Sequence, residues 1–311
     1  MAKEQGLSLS AVRRNSGDKI YDTVIFVILT LIFISVAYPL YFIIISSISD
    51  PVKVSSGQVI FFPQGFTADG YKTVFETNTV MRGFLNSLWY SALGVFISLA
   101  VTLPTAYALS RNDFFGRKII SIFYIITMFV SGGLIPTYMV IRNMGMMDTV
   151  WALVVPGALG VYNVMVARTF FQANIPPELL DAARIDGCND TRFFISIVLP
   201  LSGAIIAILV LWVGVGHWNS YFSALIYIST PGKQPLQIVL RDILIQNTEN
   251  IQGVNLAAMT AEAMRERARA EALKEMMKYS LIVIANLPVM LLYPFIQKHF
   301  VKGVTVGSLK G

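Results

Sequence analysis

Six long apolar runs, about 20–48, 84–109, 118–141, 149–171, 197–228 and 279–297, limit this chain more than any other feature of its sequence. A helix needs roughly 20 apolar residues to cross ~30 Å of hydrocarbon. Only helices and closed barrels pair their backbone groups internally in lipid, and runs this long and continuous predict helices. Composition agrees: 55% of the 311 residues are hydrophobic and 14% are charged, against about 25% charged in soluble domains. A soluble core could not hide that much apolar surface. The first run exceeds the ~7–15 residues of a signal-peptide core, which predicts an uncleaved anchor. With no composition break and no internal repeat, the expectation is one all-α integral membrane domain of six transmembrane helices. Each run carries a proline: Pro39, Pro104, Pro136, Pro156, Pro200, and in the last Pro288 and Pro294. These are either ordinary kinks or bends that open a central cavity.

Orientation follows from Lys and Arg in the short loops. With the N-terminus inside, one side holds Arg13, Arg14, Lys19, Arg111, Arg117, Lys118, Arg168, Arg184, Arg192 and the basic residues after 297. The two short loops opposite hold Lys53, Lys72, Arg82 and Arg142. Both termini are therefore expected in the cytoplasm. The predicted segments are 1–19 (cytoplasmic), 20–297 (transmembrane, with a cytoplasmic loop at 172–196 and an extracytoplasmic loop at 229–278) and 298–311 (cytoplasmic tail). The net charge of +6 is then loop charge, not a nucleic-acid surface. Cys188 is the single cysteine, so no intrachain disulfide forms, and no metal site or catalytic constellation is visible.

The segment 174–200 is built to bend. Pro177 suits the first turn of a helix, and Glu178 and Asp181 put negative charge at its positive end. Ala182 and Ala183 are small enough for another surface to approach. Gly187 suits the left-handed residue that ends a helix, and Asn189 or Asp190 can cap the next one. Phe193, Phe194, Ile197 and Val198 lead back into the membrane. A loop so structured, between two spans, looks made for docking.

This segment resembles the EAA loop of ABC import permeases: Glu-Ala-Ala, three residues, Gly, nine residues, Ile, one residue, Leu-Pro. Asp181-Ala182-Ala183, Gly187, Ile197 and Leu199-Pro200 fall at that spacing, with Asp181 in place of Glu. The segments starting at Asn86, Pro104 and Trp218 resemble the carbohydrate branch. The tail from Phe300 is similar to that of the maltose-type second permease. The segment 235–244 resembles permeases for oligosaccharides of complex polysaccharides such as alginate or rhamnogalacturonan. The resemblance implies the type I importer permease fold in the bacterial cell membrane. It implies a homologous second permease, two ATPase subunits that use ATP and Mg2+, an extracytoplasmic solute-binding protein and a carbohydrate substrate. This chain would bind no cofactor itself, since it contains no phosphate loop. Coupling to the ATPases is expected through Glu178, Asp181, Ala182, Ala183, Arg184, Gly187 and Pro200. Asp181 and Arg184 would either pair with ATPase residues or form a solvated face.

Sugar sites favour aromatic faces and amides. The candidates are Tyr162, Asn163, Trp212, Trp218 and Asn219, with His217 and Tyr221 beside them. Aromatics at such positions are more often an interfacial belt, and Asn163 reads equally as an interhelical hydrogen bond. Residues 257–278 read as a solvated helix with an Arg267–Glu271 pair. Rival classes fare worse. A membrane-embedded enzyme needs clustered acids, His or Cys in the spans. A secondary transporter favours inverted repeats and midplane ionisable residues. An ABC permease for a non-sugar solute remains an alternative within the class.

Overall fold

The computed structural model describes the backbone of residues 16–249 and 261–308, and the side chains of 19–245, 264 and 266–294. Among the described residues the regular structure is helical throughout. The order is α1 (Ser16–Ser47), α2 (Pro51–Ser55), α3 (Asp69–Glu76), α4 (Asn78–Ser110), α5 (Arg117–Phe129), α6 (Leu134–Asn143), α7 (Trp151–Val154) and α8 (Val161–Asn174). It continues with α9 (Pro177–Ile185), α10 (Asp190–Phe193), α11 (Leu199–Leu201), α12 (Gly203–Trp218), α13 (Tyr221–Tyr227), α14 (Leu236–Glu249) and α15 (Ala261–Ser308).

The apolar runs become helices of three kinds. The segments 19–47, 78–110 and 266–294 are each long and apolar enough to cross a membrane as one helix. They absorb Pro39, Pro104, Pro288 and Pro294 without a break. The third and fifth runs are bent pairs. α5 and α6 meet at 113° across residues 130–133, and the 190–201 segment meets α12 at 80°. The fourth run departs furthest from the expectation of a continuous span. α7 and the 14-residue α8 are separated by residues 155–160, Val-Pro-Gly-Ala-Leu-Gly. Neither half is long enough to span alone.

α4 is the centre of the fold. Its buried face is a stripe of small residues, Gly83, Ser87, Ser91, Gly94, Ser98, Thr102 and Ala106, spaced three or four apart so that they line up along one side of the helix. Small residues let helix axes come close where no hydrophobic drive operates. α8, α12 and α14 use that opening and pack on α4. The approach is closest at Gly94, where a Cβ would lie 2.4 Å from His217 Cδ2 of α12. α1 is the opposite case. No residue in the most apolar part of its span is buried by the rest of the chain, and only its last turn, Ile45 to Ser47, is buried.

At the C-terminal end, Gly303 and Gly307 are residues that favour a flexible tail. Helix α15 instead runs through Ser308. A glycine costs a helix only ~1 kcal/mol relative to alanine, which a 48-residue helix tolerates. The expected Arg267–Glu271 pair forms on α15 at 3.1 Å. Residues 1–15 of the N-terminal segment, 250–260 of the 229–278 loop and 309–311 of the tail lie outside the described residues.

Candidate functional site

Helix α9 begins with Pro177 at its first position and Glu178 in its first turn. It divides cleanly into two faces. Leu179, Leu180 and Ala183 turn inward onto a core of Tyr107, Leu109, Phe171 and Phe193. Glu178, Asp181, Ala182 and Ile185 turn outward, all exposed, at the i, i+3, i+4, i+7 positions of one helical stripe. Ile185 is 87% exposed. So large an uncovered aliphatic side chain on a helix whose two leucines are packed on the core marks a contact surface. Motif spacing gave no reason to single it out; its signal was an apolar residue in register with the acidic face.

The bend is closed by Gly187, at φ +73°. Cys188 N donates to Ala183 O at 2.9 Å and Gly187 N to Arg184 O at 3.0 Å, the paired bonds of a Schellman terminus. A Cβ at Gly187 would meet no neighbour within 4 Å, so backbone conformation, and not space, selects glycine here. Asn189 then caps α10, its side chain accepting from Arg192 N at 2.8 Å. A π-helical stretch, Phe194–Val198, follows. Pro200 cannot donate to a carbonyl one turn back, and it lies just before the 80° bend. Pro200 therefore shapes the re-entry and is not on the α9 stripe.

Arg184 points away from the stripe and donates to Asp113 at 3.0 Å. Asp113 is also held by Arg111, through Nε at 2.8 Å and through Nη2. Arg111 Nη1 reaches Asp190 at 2.6 Å, and its guanidinium lies over the Tyr107 ring, 5.8 Å from the centroid. Arg111 is only 13% exposed in its side chain, whereas Asp113 and Asp190 are about half exposed or more. The Arg111 hydrogen bond, with help from Arg184, holds the Asp113 carboxyl well below the usual carboxylate range. The Asp113 bond in turn raises Arg111 above its ordinary value. A cavity of about 450 Å³ lies beside this network, lined by the ends of α4 and α8 and, from α9, by Pro177, Leu180, Asp181 and Arg184.

A second polar cluster holds the other half of α4. Asn86 Nδ2 donates to Gly232 O and Gln234 O, both at 3.0 Å. Tyr90 donates to Lys233 O at 2.9 Å, and Ser87 accepts from Leu236 N at 2.8 Å. Asp148, at φ +56°, accepts from Ser229 N, Thr230 N and Thr230 Oγ1 and pairs with Lys233 at 2.8 Å. Lys233 first, then Thr230, holds the Asp148 carboxyl well below its usual range.

The pathway candidates separate. Tyr162 of α8 and Trp212 of α12 come together, ring centroids 5.6 Å apart, and both stay exposed. Asn163 lies beside Gly160. Asn219, exposed, ends α12. Trp218 is 4% exposed. It donates to Ala285 O at 2.9 Å and meets Phe84 edge-on at 5.7 Å, so it ties α12 to α15 and α4. Among the described residues no three His, Cys, Asp or Glu side chains gather as a metal site.

No family model matches the chain. It is 35% identical over 294 residues to the polygalacturonan/rhamnogalacturonan transport system permease protein YtcP of Bacillus subtilis (strain 168), covering 94% of this chain and 99% of that one. It is 38% identical over 273 residues to protein LplC of the same organism, covering 88% and 89%. Among solved structures, one chain of a bacterial ABC transporter involved in the import of the acidic polysaccharide alginate matches with a TM-score of 0.81. That match has 27% identity and covers 92% of this chain and 99% of that chain.

Proposed function

This chain belongs to the permease subunits of ABC sugar importers, and from that membership we propose that it crosses the bacterial cell membrane six times, with both ends in the cytoplasm, as one half of a heterodimeric translocation pathway. The other half is a homologous second permease. Two ATPase subunits bind ATP and Mg2+ and dock on the cytoplasmic face, and an extracytoplasmic solute-binding protein delivers the sugar. Hydrolysis belongs to the ATPases, since this sequence has no phosphate loop. The substrate is an oligosaccharide of a complex acidic polysaccharide, a reading supported by the names of the relatives.

The observation that carries the coupling reading is the two-faced helix α9. Its inner face is packed on the core, and its outer stripe of Glu178, Asp181, Ala182 and Ile185 is exposed. Such a helix seats in a cleft of an ATPase subunit. When ATP draws the ATPases together, the seated helix moves with them, and the differential affinity of the two nucleotide states shifts the permease between inward-open and outward-open. The exposed Tyr162–Trp212 pair offers the kind of aromatic face on which a sugar ring stacks, and we assign it to the pathway.

Cys188, directly after the bend, tests both topology and docking. An impermeant maleimide is expected to spare it in right-side-out cells and to label it in inverted vesicles carrying the permease pair alone. Adding the ATPase subunits should slow that labelling. Labelling from outside overturns the orientation; cytoplasmic labelling indifferent to the ATPases leaves the topology standing, removes Cys188 from the contact and weakens the docking reading.

A further inference from the structure

The loop is joined to the spans in two ways. Apolar contacts of Leu179, Leu180, Ala183 and Phe193 seat it on the core. Such contacts are non-directional, so they hold the loop down without by themselves tying it to the end of α4. A directional tie to α4 comes from the charged network. Arg111 stands one residue past the end of α4. It bonds Asp190, the first residue of α10, directly, and reaches Arg184 of α9 through the shared carboxylate of Asp113. One largely buried guanidinium thus addresses both sides of the Gly187 bend, and it does so from the helix on which α8, α12 and α14 pack. The bend itself is set by the Cys188–Ala183 and Gly187–Arg184 backbone bonds, and the charged network is what ties both sides of it to the end of α4.

We propose that Arg111 is a positioning residue that makes α9, α10 and the end of α4 move as one body, so that displacement of the docked loop is delivered to α4; the inference rests on the coupling reading above. The chemistry selects arginine. Its planar fork takes Asp113 through two nitrogens and still presents a third edge to Asp190. A lysine ammonium carries the charge but cannot hold both carboxylates in fixed planes. In this molecule the loop motif supplies the surface that docks, and Arg111, outside the motif, supplies the link that transmits.

The test uses the full complex of both permeases, ATPases and solute-binding protein in proteoliposomes. It reads sugar transported per ATP hydrolysed, and separately the protection of Cys188 by the ATPases. For Arg111→Glu the expected result is retained Cys188 protection with transport per ATP down roughly tenfold, within the usual span of coupling free energies. The exchange Arg111→Glu with Asp190→Arg restores the α4–α10 pair and leaves Asp113 to Arg184, so it should recover most of the loss. Arg111→Lys, the variant least able to disturb assembly, should show a smaller fall with protection intact. Normal transport per ATP in Arg111→Lys and Arg111→Glu, or no recovery in an assembled exchange variant, overturns the role of Arg111. Absence of Cys188 protection in the unsubstituted protein overturns the coupling reading instead, and this inference with it.

Discussion

The two ends of α4 are held by polar clusters of opposite design. At its N-terminal half, Asn86, Ser87 and Tyr90 bond the backbone of residues 232–236, and Asp148, besides its one ion pair with Lys233, collects backbone N–H groups at 229 and 230. At its C-terminal end, Arg111, Asp113, Arg184 and Asp190 bond one another through side chains alone. Side-chain bonds to backbone fix the path of a strap whatever residues it carries. Side-chain ion pairs fix the relative angle of helices and can re-form after a movement. The first design suits a static brace and the second a joint. The difference predicts that damage at one end costs stability and damage at the other costs coupling.

The largest effect is expected at Gly187. Valine there must take a positive φ that β-branched residues avoid, a strain of about 1–3 kcal/mol. Nothing else crowds the site, so the protein should assemble. Gly187→Val should abolish stimulation of ATP hydrolysis by loaded binding protein, whereas Gly187→Asn, which tolerates the left-handed region, should keep much of it. Equal behaviour of the two variants would mean that the bend is not the determinant.

Asn86→Ala probes the brace. It strips the hydrogen bond from two carbonyls, Gly232 O and Gln234 O, and should cost about 1–3 kcal/mol. A lowered melting temperature with unchanged transport per ATP is expected. The reverse pattern would erase the distinction between brace and joint.

Legibility divides along the same line. Pro177, Gly187 and Asn189 were readable because helix starts, left-handed ends and caps are local chemistry, decided by residues within one turn. The partners of Arg111 were not, since Asp190 lies 79 positions away and no pattern along the chain states that separation. The broken fourth run had its signal in plain view, Pro156-Gly157 and Gly160, but hydropathy averages such residues away. The long helices 19–47 and 78–110 followed directly from their apolar runs. The burial of Trp218 did not, because an interfacial tryptophan and one bonded to Ala285 look alike in sequence.

The pathway reading gives a smaller effect, confined to sugar. Trp212→Leu should cut the Tyr162–Trp212 face and lower transport several-fold at subsaturating sugar, with Cys188 protection intact. Trp218→Phe keeps the packing and loses the bond to Ala285, so it should lower the melting temperature and leave sugar dependence unchanged. Interchange of the two outcomes would reverse the assignment of the two tryptophans.

The smallest expected effect is that of pH. Asp113 and Asp148 both have carboxyls held below the usual range. A depressed carboxylate contributes stability that is fully present above its unfolded pKa, about 3.9, and is lost as pH falls through its lower folded value. Between about pH 5 and 8 each group is ionised in folded and unfolded states alike, so neither adds a slope to stability. Arg111, raised further above an already high value, stays charged throughout. Transport per ATP should therefore be flat across that window in the unsubstituted protein and in Asp113→Asn, the variant sitting lower because Arg184 has lost its charged partner. At about pH 4 the folded Asp113 is still ionised, so the two proteins should stay apart there. They should converge only as pH falls through its depressed folded value, where protonation does to Asp113 what the substitution did. A midpoint near neutrality that persists in Asp113→Asn would assign the limiting titration to another group. One that disappears in that variant would contradict the strongly ionised joint from which the comparison of the two ends of α4 begins.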